Sequence, residues 1–295
     1  MIVFVFILLG LYLIIALIIG RQLVFNDVFP KEKPDKSDIL NEYDFQHIEF
    51  LNPQKRKLRG WFIKSKNNPT NKTLIILHGW TRTRLTYVEQ IKFFADSGYH
   101  VLAYDQISHG NSEKGLITFG ESEGLDLLEA VNFLKTIPVV NQQKIGVVGF
   151  SLGTAAAIFA IACSEEKVFK AAVLEGAFAN SYDVGEYMLV SKYGKFLGKI
   201  IGHAFFTFGT AMWSLGKFKH ANTAEMISKI KDTPLMIIRG KNDALVPEKS
   251  FKKLTDSLHP PFDIWVHEKG HHTRSYAVYP EEYSTRVLGF LEKHI

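Results

Sequence analysis

Cysteine is almost missing from this chain of 295 residues: Cys163 stands alone, so no intrachain disulfide can brace the fold. It sits in the apolar run AAAIFAIAC, where a buried, inert thiol is expected. Metal-binding patterns are also lacking. There is no HExxH and no H-x-H, and the adjacent His271 and His272 would point to opposite faces of an extended segment, so no metal is expected. The formal net charge of +5 comes without an Arg-rich helix, a zinc spacing or an aromatic–basic ribonucleoprotein motif, and it gives no reading of nucleic-acid binding. No nucleotide motif, repeat or low-complexity tract is present, which points to a cofactor-free protein if it is an enzyme. Hydrophobic residues make up 46% of the chain, ample for one large α/β domain with an insertion or for two small domains.

Charge is absent from the first twenty residues, MIVFVFILLGLYLIIALIIG, where Tyr12 is the one polar side chain. A helix of that length rises about 30 Å, the thickness of a bilayer's hydrocarbon core. A cleaved signal peptide would have a basic start and a small-x-small cleavage site, and a buried core helix would show a polar face. The segment has none of these, and an uncleaved single-pass anchor over residues 1–20 is expected. Arg21, Lys31, Lys33 and Lys36 follow it, so the positive-inside rule puts the remaining chain in the cytoplasm. Residues 21–42, charged and carrying Pro30 and Pro34, read as a tether, and 43–295 as the folded domain.

DFQHIEFLNP and KLRGWFIKS suggest an antiparallel strand pair turning at Asn52-Pro53. Short apolar runs follow at 72–79, 100–105, 144–150, 171–178 and 234–240, with a weaker one at 263–268. Helical patterns separate them at 83–97, 121–136, 152–165, 248–258 and 280–294. Strands with no polar face, alternating with helices, indicate an α/β fold: a mostly parallel twisted sheet covered on both sides. More than fifty residues lie between LEGAF and PLMIIRG, too many for a simple crossover. Rich in Phe, Tyr, Met, Trp and Gly, they read as a helical cap at about 179–232, or else as two longer crossover helices packed on the core.

Within VVGFSLGTAA the apolar run stops at Ser151, held between Gly149 and Gly153 in a G-x-S-x-G pattern. The pentapeptide alone is weak, and a capping serine would explain it. Its position between a buried strand and a helix of small residues is the setting of a nucleophile elbow, whose glycines clear the neighbouring strand and helix. A serine hydroxyl needs a base, and the base needs an orienting acid, in the chain order Ser, acid, His. Asp243 follows a buried strand in IIRGKNDALVP, and His271 and His272 follow the last strand in VHEKGHHTRSY. Glu175 and Asp183 are alternative acids, and either histidine could be the base.

The ordered set LHGW, YDQISHGNS, GFSLG, GKNDALVP and GHHTRSY resembles the α/β-hydrolases over residues 44–294, and is far more specific than any one motif. Within them the sequence is most similar to membrane-associated bacterial hydrolases of the BEM46-like, serine aminopeptidase-like (S33) kind. There an H-x-x-S-Y stretch often ends the triad. That matches His272, with Ser275 and Tyr276 following, whereas a plain Gly-His reading would select His271. The resemblance implies an α/β-hydrolase fold with a helical cap and an oxyanion hole made by the backbone N–H groups of Trp80 and Leu152. His78 is expected to brace its loop. Asp105 and His109 fall in a loop that such enzymes often write D-x-R-G-H-G-x-S; here Ile107-Ser108 replaces the Arg-Gly pair, and the loop is read as scaffold.

The expected chemistry is acyl transfer to water by Ser151, His272 and Asp243 on an ester or thioester with a hydrophobic, lipid-like acyl group. The cap lysines Lys192, Lys195, Lys199, Lys217 and Lys219 would face an anionic bilayer. A peptidase or amidase on the same triad is the alternative within enzymes, and a non-catalytic binding protein the alternative outside them.

Overall fold

A computed structural model describes residues 2–25, 37–65, 71–203 and 222–295. Eight strands form one sheet in the order β1-β2-β4-β3-β5-β6-β7-β8. They are β1 (Phe45–Leu51), β2 (Lys57–Ile63), β3 (Lys72–Leu77), β4 (Tyr99–Tyr104), β5 (Ile145–Phe150), β6 (Phe169–Glu175), β7 (Leu235–Gly240) and β8 (Phe262–His267). The β1–β2 and β2–β4 pairs are antiparallel, and every other pair is parallel.

The two faces of β3 explain why these runs show no polar alternation. Ile75 and Leu77 enter a core with α3 (Glu121–Leu134), α4 (Leu152–Cys163) and α8 (Glu248–Thr255). Leu74 and Ile76 enter a second core with α2 (Val88–Asp96) and α10 (Pro280–His294). With both faces covered, each central strand must be apolar throughout. On the edge strand β8, Phe262, Ile264 and Val266 face out while Trp265 and His267 are buried, which accounts for its weaker pattern.

Three expectations near the chain's start and middle need correction. The first helix, α1 (Ile2–Phe25), continues past residue 20 into the expected tether, because no proline interrupts the sequence before Pro30. Residues 26–36 of that tether lie outside the described residues, but Ser37–Leu40 form a helical turn whose Leu40 is buried against the domain. Cys163 is exposed, not buried, since it ends α4 where the helix leaves the sheet.

Among the described residues no helix is long and apolar enough to cross a membrane. The described side chains of α1 run continuously only from 3 to 18, a rise of about 24 Å. The expectation of a transmembrane anchor over 1–20 therefore has no support in the described structure. Those side chains are nevertheless apolar and open, Phe4 at 65% exposure, and the Tyr12 hydroxyl donates to the Ile200 carbonyl at 3.2 Å.

Between β6 and β7 the chain forms α5 (Ser181–Tyr193) and α6 (Lys195–His203), then returns through α7 (Thr223–Ile227). Gly198 lets α6 approach α5 closely: a Cβ there would stand 2.5 Å from the Val190 Cα. Met226 and Ile227 of α7 are buried in the α4 core. Residues 204–221, which include the expected cap lysines Lys217 and Lys219, lie outside the described residues.

One buried ion pair positions the loops above the sheet. Arg84 pairs with Asp105 at the carboxyl end of β4, and its guanidinium lies 4.3 Å from the Trp61 ring. Asp105 also accepts the N–H groups of Arg84 and Asn111, each at 2.9 Å, so one carboxylate ties together the loops after β3 and β4. Removing one member of such a pair leaves an uncompensated buried charge. Asp105→Ala is expected to lower unfolding stability by about 3–5 kcal/mol, and Arg84→Met combined with Asp105→Leu by clearly less, measured by urea denaturation.

Candidate active site

Strand β5 ends at Phe150 and α4 begins at Leu152, so the whole reversal falls on Ser151. Its backbone adopts φ 51° and ψ −110°, a conformation costing a non-glycine residue about 1–3 kcal/mol. Local bonds hold it there. The Ser151 N–H donates to the Glu175 carbonyl at 2.9 Å, and its own carbonyl accepts from the Thr154 N–H at 2.8 Å. The flanking glycines are required by space: a Cβ at Gly149 would stand 2.6 Å from the Gly153 carbonyl oxygen, and one at Gly153 would strike the Leu77 backbone.

Ser151 lines a cavity of about 550 Å³ together with Trp80, Leu152, His271 and His272. The two histidines part company here. His272 Nδ1 lies 2.8 Å from Asp243 Oδ2, while its Nε2 is buried with no hydrogen-bond partner. His271 is exposed and makes no hydrogen bond to an acid among the described residues. Asp243 Oδ1 accepts the N–H groups of Leu245 and Val246, both at 2.9 Å. Burial pushes the Asp243 carboxyl up, but the hydrogen bond and charge of His272 and those two N–H groups outweigh it, leaving the pKa below the usual value.

The alternative acids are engaged elsewhere. Glu175 is buried and bonded to Ser275, and Asp183 lies in the first turn of α5, donating its N–H to the capping Asn180 and accepting that residue's side-chain amide on its carboxylate. The backbone N–H groups of Trp80 and Leu152 donate to no acceptor among the described residues, and both residues border the cavity. Leu152 also opens α4, whose N-terminus adds positive potential.

His78 and His109 brace the Trp80 loop as neutral rings. His78 Nε2 accepts the Gln106 N–H at 2.9 Å, so the proton is on Nδ1, which donates to the Gly79 carbonyl at 2.8 Å. His109 Nε2 accepts the Thr81 N–H at 3.2 Å, and its Nδ1 donates to the Ile107 carbonyl at 2.8 Å. Desolvation brings the His78 pKa down to about 4 and that of His109 to about 3.

Sequence reasoning missed the cavity walls, Tyr87, Phe119, Phe178, Val184 and Met188, which come from stretches near residues 87 and 119 and from 178–188. It also missed the contacts behind His272 made by Glu175, Ser275 and His267. The quoted H-x-x-S-Y stretch was the one available signal for Ser275. Among the described residues no group of three or more His, Cys, Asp or Glu side chains is arranged to hold a metal ion.

Residues 68–218, more than half of the chain, match the family described as serine aminopeptidase, S33. The chain belongs to that family of α/β-hydrolases. The hydrolase is 26% identical to Bacillus subtilis YqkD over 97% of each chain. It is also 26% identical to the Schizosaccharomyces pombe protein bem46, over 77% of this chain and 71% of that one. Among solved structures, the Pyrococcus furiosus esterase Pf2001 is 28% identical with a TM-score of 0.71, covering 90% of this chain and 99% of its own. The protein is thus an enzyme of the α/β-hydrolase superfamily.

The two neutral histidines set an acid limit on stability. Their folded pKa values lie below the unfolded value of 6.5, so the unfolded state takes up protons first as pH falls. Stability should be intact above pH 6.5 and decline from there toward about pH 4, each ring contributing up to about 1.4 kcal/mol per pH unit. His109→Gln should flatten that slope in urea titrations at several pH values; an unchanged slope would assign the acid sensitivity to other groups.

Proposed function

We propose that this hydrolase is a serine esterase acting on ester or thioester bonds of hydrophobic acyl substrates. The observation that carries the reading is the divided imidazole of His272. One nitrogen is bonded to Asp243; the other is unpartnered and buried in the cavity that Ser151 also lines. In this reading His272 Nε2 takes the Ser151 hydroxyl proton as Oγ attacks the carbonyl carbon. The tetrahedral oxyanion rests on the N–H groups of Trp80 and Leu152, worth several kcal/mol of barrier. His272 then protonates the leaving group, water attacks the acyl-enzyme, and Asp243 stabilises the transient imidazolium and fixes its tautomer.

The walls favour an apolar acyl group. Phe119 comes from the loop before α3, Phe178 from the turn after β6, and Val184 and Met188 from α5, which we take with α6 as the substrate-covering cap. Peptide-bond cleavage is the second reading, because the matched family is described as a serine aminopeptidase. We also assign α1 to membrane association. Its open apolar side chains lie beside α6, where Phe196 is 82% exposed between Lys195 and Lys199, a pairing suited to an anionic lipid surface.

Ser151→Ala is expected to abolish fluorophosphonate labelling and to lower hydrolysis of a short p-nitrophenyl ester by about four orders of magnitude. His272→Ala should do nearly as much and His271→Ala little; the reverse pattern would move the base to His271. Turnover of aminoacyl amides well above that of esters would select the peptidase reading. Deleting residues 1–25 should release active hydrolase from membranes into the soluble fraction, whereas loss of folded protein would make α1 part of the core.

A further inference from the structure

Behind His272 lies a buried acid that the triad does not use. Glu175, the last residue of β6, accepts the Ser275 N–H on Oε1 at 2.8 Å, and the same oxygen is 2.7 Å from Ser275 Oγ. Its Oε2 is buried without a partner. Ser275 opens α9 (Ser275–Val278), three residues beyond His272. Ser275 Oγ is also 2.7 Å from His267 Nε2, and His267 Nδ1 is 2.9 Å from the Lys269 carbonyl oxygen.

Proton counting along this chain leaves two arrangements. A carbonyl oxygen only accepts, so His267 Nδ1 carries a hydrogen. Ser275 has a single hydroxyl proton to give. If it goes to Glu175, His267 Nε2 must itself donate to Oγ and the ring is a cation. If it goes to Nε2, Glu175 must donate to Oγ and is an un-ionised acid. A carboxylate with a neutral imidazole would leave two acceptors facing each other at a hydrogen-bond distance.

We infer that Glu175, Ser275 and His267 form a unit that retains one proton beyond a carboxylate and a neutral imidazole, and that this unit positions His272 for the reaction. Burial pushes the Glu175 carboxyl up and the His267 imidazole down, and both directions favour the arrangement with the proton on Glu175. Asp243, His272, Tyr87 and Tyr283 face Glu175, and Glu282 of α10 faces His267, whose ring also packs on Tyr279. With Glu175 neutral, Asp243 is the one negative charge orienting His272. When that proton leaves as pH rises, a second carboxylate appears beside the triad and the Ser275 hydroxyl can donate to only one of Glu175 and His267. The Ser275 N–H bond to Glu175 remains, so the segment carrying His272 stays attached to the end of β6 but with fewer bonds holding Ser275 in place.

The inference rests on the Ser151–His272–Asp243 reading for its catalytic half and is independent of it for the proton. In the full chain near neutral pH, an infrared difference spectrum against Glu175→Gln should show loss of one un-ionised carboxyl stretch. A cationic His267 by 15N NMR supports the same count with the proton at the other end; no such band together with a neutral His267 overturns it. In ester hydrolysis, Glu175→Gln should keep kcat within about threefold near neutrality and lack the wild type's alkaline decline. Ser275→Ala should lower kcat about tenfold or more with KM little changed, and Ser275→Thr should restore it. Superposable pH profiles for wild type and Glu175→Gln, or equal kcat in all Ser275 variants, would overturn the positioning role. Activity surviving in His272→Ala would instead sink the triad while leaving the infrared result standing.

Discussion

An imidazole can occupy the space above β6 and β7 because residue 176 has no side chain. Gly176 has φ +72°, and a Cβ there would stand 2.7 Å from His272 Cε1 and 3.1 Å from Nδ1. Any other residue would displace the ring, and with it the 2.8 Å hydrogen bond to Asp243. The carboxylate beneath is equally fixed, since its second oxygen already accepts two backbone N–H groups. The charge that orients His272, the proposed base, is therefore set by the geometry of two strand ends, with little left to side-chain freedom.

The other half of the site depends on groups kept neutral or fully paired. His78 and His109 each spend one nitrogen accepting a backbone N–H and the other donating to a carbonyl, which leaves neither as a base. Asp105 and Arg84 cancel each other underneath. Several titratable groups surround Ser151, and hydrogen bonding assigns His78 and His109 to structure. Burial makes that assignment durable, because a lone charge in these positions would be costly.

The sheet was legible from sequence because β3 to β7 are apolar on both faces, and the elbow because Gly149 and Gly153 have steric reasons that act locally. Asp243 could be proposed from chain order and strand context, whereas His272 was separated from His271 only by the H-x-x-S-Y resemblance. The Glu175–Ser275 contact spans 100 residues of sequence, and neither side chain carries a local pattern that announces it. Cys163 was misjudged since an apolar helix was assumed to bury its last residue, where only its inward face is covered. The limits of α1 and of the tether were misjudged for a related reason. Nothing in the sequence stops the helix at residue 20, and Leu40 docks through a tertiary contact.

The backbone at residue 151 also narrows what evolution can do with this scaffold. A β-branched residue is disfavoured at φ 51°, a cost the chain does bear at Thr81 (φ 60°) and Thr273 (φ 53°), so threonine is a poorer fit than serine at residue 151 although it carries the same hydroxyl. Cysteine, unbranched at Cβ, would fit the same corner. New chemistries on this framework are thus constrained first by stereochemistry at one α-carbon, before any question of reactivity arises.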